Sequence, residues 1–453
     1  MESLLEHWAL LAAFVLLAGL AWGFLRFWRI AAVSAGYKAK VLCSALFVSG
    51  RNIDPERSPE VSADSYRILR LFRAEVDRER RSVTCSWLGL RARTAVYRPG
   101  LGATLVSTGS LWKPTALVPE PPGGEDPWPA PPSESPALKR LVDEAFTEPD
   151  PERLRRTRAV LVLQDGRIVA ERYAPGFSKG TPLPGWSMTK AVVSALVGIL
   201  VKEGRLSLSD KSLLPEWSGP GDPRGQIALE DLLRMRSGLR FAEVYSDPLS
   251  DVNRMLFIEP DAAAFAAARR LAHPPGAAWQ YASGTTNILS RIVLRTVGEK
   301  DYPTFPRRAL FDPLGMRGAI IELDAAGTFV GSSYMFATAR DWARLGQLYL
   351  QDGTCEGKRV LPEGWVAFSA SPTPQSEGCY GAHWWLKLQK ELGGETEAAK
   401  RIPSDTFFAL GHEDQSLTVI PSRRLVAVRL GLSIYIDAWN HAQFTADLLD
   451  ALA

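Results

Sequence analysis

Pro184-Gly185-Trp186-Ser187-Met188-Thr189-Lys190, continued by the uncharged run AVVSALVGILV at 191–201, is the stretch on which the reading of this chain turns. Apolar residues without interruption over that length predict a buried helix across 187–203, stopped by Gly204. Ser187 and Lys190 lie three residues apart, so on a helix they share a face with Cβ atoms about 5–6 Å apart. A serine hydroxyl needs an adjacent base to act as a nucleophile. Lysine serves as that base only when its pKa falls, and both the positive end of the helix dipole and burial push it down.

The same spacing recurs at Ser110-Leu111-Trp112-Lys113, but Pro114 follows at once and biases Lys113 away from helix. Only Ser187 has the structural setting. Other serine designs fit less well. Gly185-Trp186-Ser187-Met188-Thr189 lacks the second glycine of a G-x-S-x-G elbow, and no strand leads directly into it. A Ser-His-Asp triad would need His412 or His383 beside Ser187, which sequence alone does not show.

Outward from this helix, the stretch 158–173 (RAVLVLQDGRIVAERY) places two β-branched runs around Asp165-Gly166, a hairpin signal. Residues 406–431 (TFFALGHEDQSLTVIPSRRLVAVRLG) read as three consecutive strands, and a last helix is expected over 438–452. Further helices are expected at 227–235, 261–272 and 284–296. Strands at both ends with helices between them predict an α+β domain over 137–453, an antiparallel sheet whose terminal segments meet.

The stretch 8–25 (WALLAAFVLLAGLAWGFL) is uncharged and long enough to cross most of a hydrocarbon core, so residues 1–35 read as a single-pass membrane anchor or signal-anchor. Trp8, Trp22 and Trp28 suit the interface, and Arg26 and Arg29 can snorkel. Val33-Ser34-Ala35 also offers a signal-cleavage site. Arg26, Arg29, Lys38 and Lys40 would by the positive-inside rule keep the body in the cytoplasm, yet large domains translocate regardless of a few charges. The expected localisation is membrane with an extracytoplasmic catalytic domain, the side being left open. Residues 36–113 alternate apolar runs with turn residues at 41–50, 82–90 and 93–109 and read as a strand-rich segment. Residues 114–136 carry nine of the chain's 32 prolines and read as an extended linker.

Composition narrows the function. Over 453 residues, Lys+Arg 53 against Asp+Glu 50 leaves +3, too little for the positive field nucleic acid requires. Four cysteines (Cys43, Cys85, Cys355, Cys379) form no C-x-x-C, and the five histidines show no ligand spacing, so no metal and no other cofactor is expected. Pairing of Cys43 with Cys85, or of Cys355 with Cys379, stays open.

Three motifs in order carry a resemblance: Ser187-x-x-Lys190, then Tyr281-Ala282-Ser283-Gly284-Thr285-Thr286-Asn287, then Gly411-His412-Glu413-Asp414-Gln415, with Asp231-Leu232-Leu233 and Arg236-Ser237-Gly238-Leu239 between the first two. Over about 158–453 the chain resembles the serine β-lactamase-related superfamily, in its class C and penicillin-binding-protein-like branch, and most the 6-aminohexanoate-dimer hydrolase and esterase group. The resemblance implies a β-lactamase-like fold with a helical subdomain, and hydrolysis of small amides or esters through an acyl-Ser187 intermediate. It implies Lys190 as base partner and Tyr281 as proton relay, the phenol near the ammonium being biased toward phenolate. The backbone N–H groups of Ser187 and Gln415 would form the oxyanion hole, and His412 would face the cleft.

Asp414 stands where the group has glycine, which puts a carboxylate near the pocket and disfavours anionic substrates, or shifts the backbone. Ser283 replaces the asparagine of many β-lactamases. Tyr245 and Asp247, in the stretch 241–255, are candidate pocket residues, whereas Trp384 and Trp385 are expected in the core. The rival functions are a penicillin-binding or β-lactam-sensing acyl acceptor without turnover, and an inactive scaffold.

Overall fold

The computed structural model describes residues 2–106, 118, 128–129, 131 and 134–453. The second Ser-x-x-Lys match at 110–113 and most of the proline-rich stretch 114–136 lie outside the described residues.

The hairpin at Asp165-Gly166 forms as expected, both residues being left-handed (φ 52° and 74°), and joins β5 (Ala159–Gln164) to β6 (Arg167–Tyr173). The three expected C-terminal strands are β7 (Phe407–Gly411), β8 (Gln415–Ile420) and β9 (Leu425–Leu430). They complete one antiparallel sheet in the order β7-β8-β9-β5-β6, in which Val428 pairs with Leu161, so the two ends of the domain meet. One face buries Val160, Val162 and Ala427 beneath α2 (Pro136–Glu144) and the last helix, His441–Ala451, through Leu138, Val142 and Leu448. The other face packs on the main core, which contains the motif helix α3 (Thr189–Lys202) and α4 (Ser283–Val297). Every residue of α3 from Thr189 to Leu200 is buried, as its apolar run demands. The expected helices at 227–235 and 261–272 are shorter, Leu229–Leu233 and Ala262–Ala267.

The N-terminal half corrects one expectation. α1 runs from Glu2 to Phe47, so the apolar run at 41–50, read as a strand, is mostly helix. A short continuous apolar run suits a strand and a buried helix equally. This helix has two different halves. Leu10, Phe14, Leu17, Leu20 and Trp22 are exposed, and the helix is long and apolar enough to cross a membrane. From Ala31 onward one residue after another is buried, including Ala35, Ala39, Leu42 and Cys43.

These residues pack on a four-stranded antiparallel sheet, β1 (Arg73–Asp77), β2 (Ser82–Trp87), β3 (Leu90–Arg98) and β4 (Gly102–Val106), giving the segment its own small core. All four cysteines are free thiols.

Glu322, fully buried, ties this segment to the rest of the chain. It pairs with Lys40 of α1 and accepts from Ser44 Oγ (2.8 Å) and the Ala103 backbone N–H (2.7 Å). A second link runs from Arg51 and Arg158 to Glu60, with Arg158 at 2.6 Å. Removing one partner of a buried pair strands the other's charge, at a cost of about 3–5 kcal/mol. Glu322→Ala is therefore expected to lower the stability of the detergent-solubilised protein by about that amount, measured by denaturant unfolding, while Glu75→Ala on the exposed face of β1 leaves it unchanged.

Candidate active site

Ser187 sits on a single 3-10 turn, Trp186–Met188, immediately before α3. The turn is pinned from several sides. Gly185 N–H donates to Met335 O (2.9 Å), Thr189 Oγ1 donates to Trp186 O (2.7 Å), and Met335 N–H donates to Thr189 Oγ1 (3.2 Å). Gly185 is needed for close approach, because a Cβ there would lie 2.2 Å from the Trp342 ring. At the end of β7, a Cβ on Gly411 would lie 2.2 Å from Gly185 O, so the third motif is pressed directly against the turn that carries Ser187.

The Ser187–Lys190 pair meets as its spacing predicts. Lys190 Nζ donates to Ser187 Oγ (2.9 Å), to Ser283 Oγ (3.0 Å) and to the Ser332 carbonyl (3.0 Å), so all three ammonium protons have acceptors. The side chain is buried, and loss of hydration pushes its pKa down to about 8 against the opposing pull of Glu243. Ser283, the residue that departs from the β-lactamase asparagine, links the two charges. Its Oγ donates to Glu243 Oε1 (2.5 Å), while its backbone N–H donates to Glu243 Oε2 (2.8 Å). Burial pushes the Glu243 carboxyl up, and Lys190 opposes this.

Glu243 was missed by sequence reading although it lies two residues from Tyr245, because nothing in FAEVYSD distinguishes a carboxylate under Ser283 from one in solvent. Ser332 was missed as well. It contributes only a carbonyl, held by Asn287 Oδ1 accepting from its N–H (3.1 Å).

Tyr281 stands across from the pair, but Lys190 Nζ lies over its ring, 4.9 Å from the centroid. Burial and then Glu243 raise the phenol pKa, and only hydrogen bonding to Ser187 opposes them. The expected bias toward phenolate is therefore corrected: the amine faces the π-face, and the phenol keeps its proton.

Tyr245 stacks on His412 with centroids 4.6 Å apart and planes 12° from parallel. Asp247, expected beside it, is exposed and accepts from Leu249 N–H (3.0 Å), capping a turn. His412 also meets the Trp186 ring edge-on at 5.3 Å, and burial lowers its pKa to about 4, leaving it neutral. His383 is buried, with Nδ1 on Leu233 O (2.6 Å) and Nε2 on Thr286 Oγ1 (2.9 Å), a core role unrelated to Ser187. Trp384 and Trp385 are buried, Trp385 packing on Tyr281 at 5.1 Å.

His412-Glu413-Asp414 forms a tight turn between β7 and β8, in which Glu413 and Asp414 are both left-handed (φ 61° each), as is Trp186 (φ 47°). Such backbone persists only where its surroundings over-determine it, at a cost of about 1–3 kcal/mol each. The Gln415 side chain staples the turn, donating to Glu413 O (3.0 Å) and Gly431 O (2.8 Å) and accepting from Gly431 N–H (2.9 Å). Arg429 donates to Asp414 O (2.9 Å), and Trp186 Nε1–H donates to Glu413 Oε2 (2.9 Å). Gln415 opens β8 opposite Gly411, beside the turn that carries Ser187.

The Asp414 carboxyl interacts with Arg429 and Ser433, and burial pushes its pKa up to about 8 against Arg429. Burial thus disfavours the charged form on which the expected repulsion of anionic substrates by Asp414 depends. Its backbone holds the left-handed conformation that glycine adopts freely, at φ 61°.

Comparisons with known proteins show the family and the fold. A Beta-lactamase family model matches residues 142–431. The 6-aminohexanoate-dimer hydrolase of Paenarthrobacter ureafaciens is 30% identical over 262 residues, 51% of this chain and 64% of that protein, so the chain spans less than two thirds of its length. Among solved structures, a penicillin-binding protein homologue from Caulobacter crescentus superposes with a TM-score of 0.53 at 18% identity, covering 70% of this chain and 96% of that one. The class C beta lactamase of Rhodobacter sphaeroides does so with 0.52 at 17%, covering 70% and 99%. With Ser187 hydrogen-bonded to the buried Lys190 at the head of a core helix, an antiparallel sheet edge pressed against it and a family match over most of the body, the chain belongs to the beta-lactamase family of hydrolases.

Proposed function

We propose that this chain is a membrane-anchored serine hydrolase that cleaves small amides or esters through an acyl-Ser187 intermediate. The observation that carries the reading is the 2.9 Å contact between Lys190 Nζ and Ser187 Oγ, with the amine desolvated and its pKa near 8. Neutral Lys190 accepts the Ser187 proton as Oγ attacks the carbonyl. The backbone N–H groups of Ser187 and Gln415 receive the developing oxyanion, an arrangement in which one donor is worth roughly 10²–10³ in rate. Protonated Tyr281 is then placed to hand a proton to the leaving amine or alkoxide, and water returns the acyl group to solution with the roles reversed. Tyr245 and His412 form the substrate wall. The amide preference is supported by the 6-aminohexanoate-dimer hydrolase relative, and the anchor by the exposed apolar half of α1 with the body extracytoplasmic. Protease accessibility in spheroplasts tests the side.

A fluorophosphonate is expected to label the full chain and not Ser187→Ala, and the wild type is expected to turn over p-nitrophenyl esters and anilides. Equal labelling of both proteins would overturn the nucleophile assignment, and labelling without turnover would favour the acyl-acceptor reading. Because Lys190 must be deprotonated to act as base, kcat/KM is expected to rise with pH to a plateau, with its ascending limb near pH 8. Glu243 opposes the fall in the Lys190 pKa, so Glu243→Gln is expected to move that limb to lower pH, and a shift to higher pH would contradict the electrostatics.

A further inference from the structure

Tyr66 belongs to the 3-10 segment Asp64–Leu71 of the N-terminal part, far in sequence from the matched family span of 142–431. Its hydroxyl nevertheless reaches the cleft, 3.1 Å from His412 Nε2 and 3.0 Å from Glu413 Oε1. Tyr37 of α1 packs on its ring at 5.1 Å and on Phe257 at 5.0 Å, so the helix that continues the apolar span holds Tyr66 in place. A phenol has one proton to give. Burial raises the Glu413 carboxyl to about 7, so at pH 9 it is ionised and both its oxygens accept, Oε2 from Trp186 and Oε1 from Tyr66, whose proton goes to the carboxylate. The Tyr66 oxygen can then only accept, and His412 must carry its proton on Nε2. Nδ1 is left as a bare acceptor, and no described residue hydrogen-bonds to it.

We propose that Tyr66 is a positioning residue for the Ser187 cleft: it fixes His412 as the Nε2–H tautomer, so that Nδ1 accepts a hydrogen bond from a substrate N–H close to the scissile carbonyl. The inference rests on the serine-hydrolase reading above and adds its substrate class, amides and amino-acyl esters with a donor at that position. An analogue with oxygen in place of N–H turns lone pair against lone pair. The membrane-proximal segment thereby supplies part of the specificity of a site whose nucleophile and base lie elsewhere.

The test uses the full-length protein in detergent at pH 9, with the N-acetylglycyl and acetoxyacetyl p-nitrophenyl esters, which differ only in N–H against O. Wild type is expected to favour the N–H ester about tenfold in kcat/KM, the size of one hydrogen bond, and Tyr66→Phe to lose that preference mainly through KM. In ¹⁵N-histidine NMR the His412 signal, assigned by its absence from His412→Gln, is expected to report the Nε2–H tautomer in wild type. Equal turnover of the two esters by wild type, a preference that survives in Tyr66→Phe, or an Nδ1–H tautomer would each overturn the proposal. So would a fall in fluorophosphonate labelling of Tyr66→Phe as large as its loss of preference, since that marks a role in holding up the fold. Absence of labelling in wild type would instead defeat the serine-hydrolase reading, and the tautomer would still be decided by NMR.

Discussion

A lysine amine held out of water between three oxygens is the constraint around which this molecule is arranged. An ammonium in that position is costly to bury, and Ser187, Ser283 and the Ser332 carbonyl offset the cost by accepting its three protons. Each acceptor comes from a different part of the chain: the turn before α3, the start of α4 and the loop entering the strand at Met335–Ala337. The three elements must therefore pack to a common point before the site exists. Glu243 adds a charge that opposes deprotonation, so the amine is tuned by two opposed effects.

Much of this was legible because it is local. Ser187 and Lys190 are set one helical turn apart by their spacing, the Asp165-Gly166 hairpin is fixed by its turn residues, and the three C-terminal strands follow from short apolar runs separated by Pro421 and the 411–415 turn. What was not legible depends on tertiary partners. The run at 41–50 has no periodicity to separate helix from strand once both faces are buried. Glu243 looks like any loop carboxylate until Ser283 is folded onto it. Asp414 departs visibly from glycine, but sequence does not say that its carboxyl turns to Arg429 and Ser433. Tyr66 had no signal at all, since its partners lie more than 340 residues away.

The left-handed residues at Trp186, Glu413 and Asp414 mark where two chain reversals are forced together. Glycine would relieve the backbone, yet a glycine at 413 would remove the carboxylate that binds both Trp186 and Tyr66. Strain in the turn is thus exchanged for a polar bridge between the Ser187 turn and the N-terminal segment.

That α1 is one unbroken rod, bare at one end and embedded at the other, fixes a height. From Phe27, near the end of the bare part, to Tyr37 beside the cleft wall is ten residues, or about 15 Å of helix. A domain on a flexible tether would sweep a hemisphere. A bilayer entered by the bare end of α1 would instead hold this domain at one fixed spacing, because the same rod is embedded in the domain at its other end.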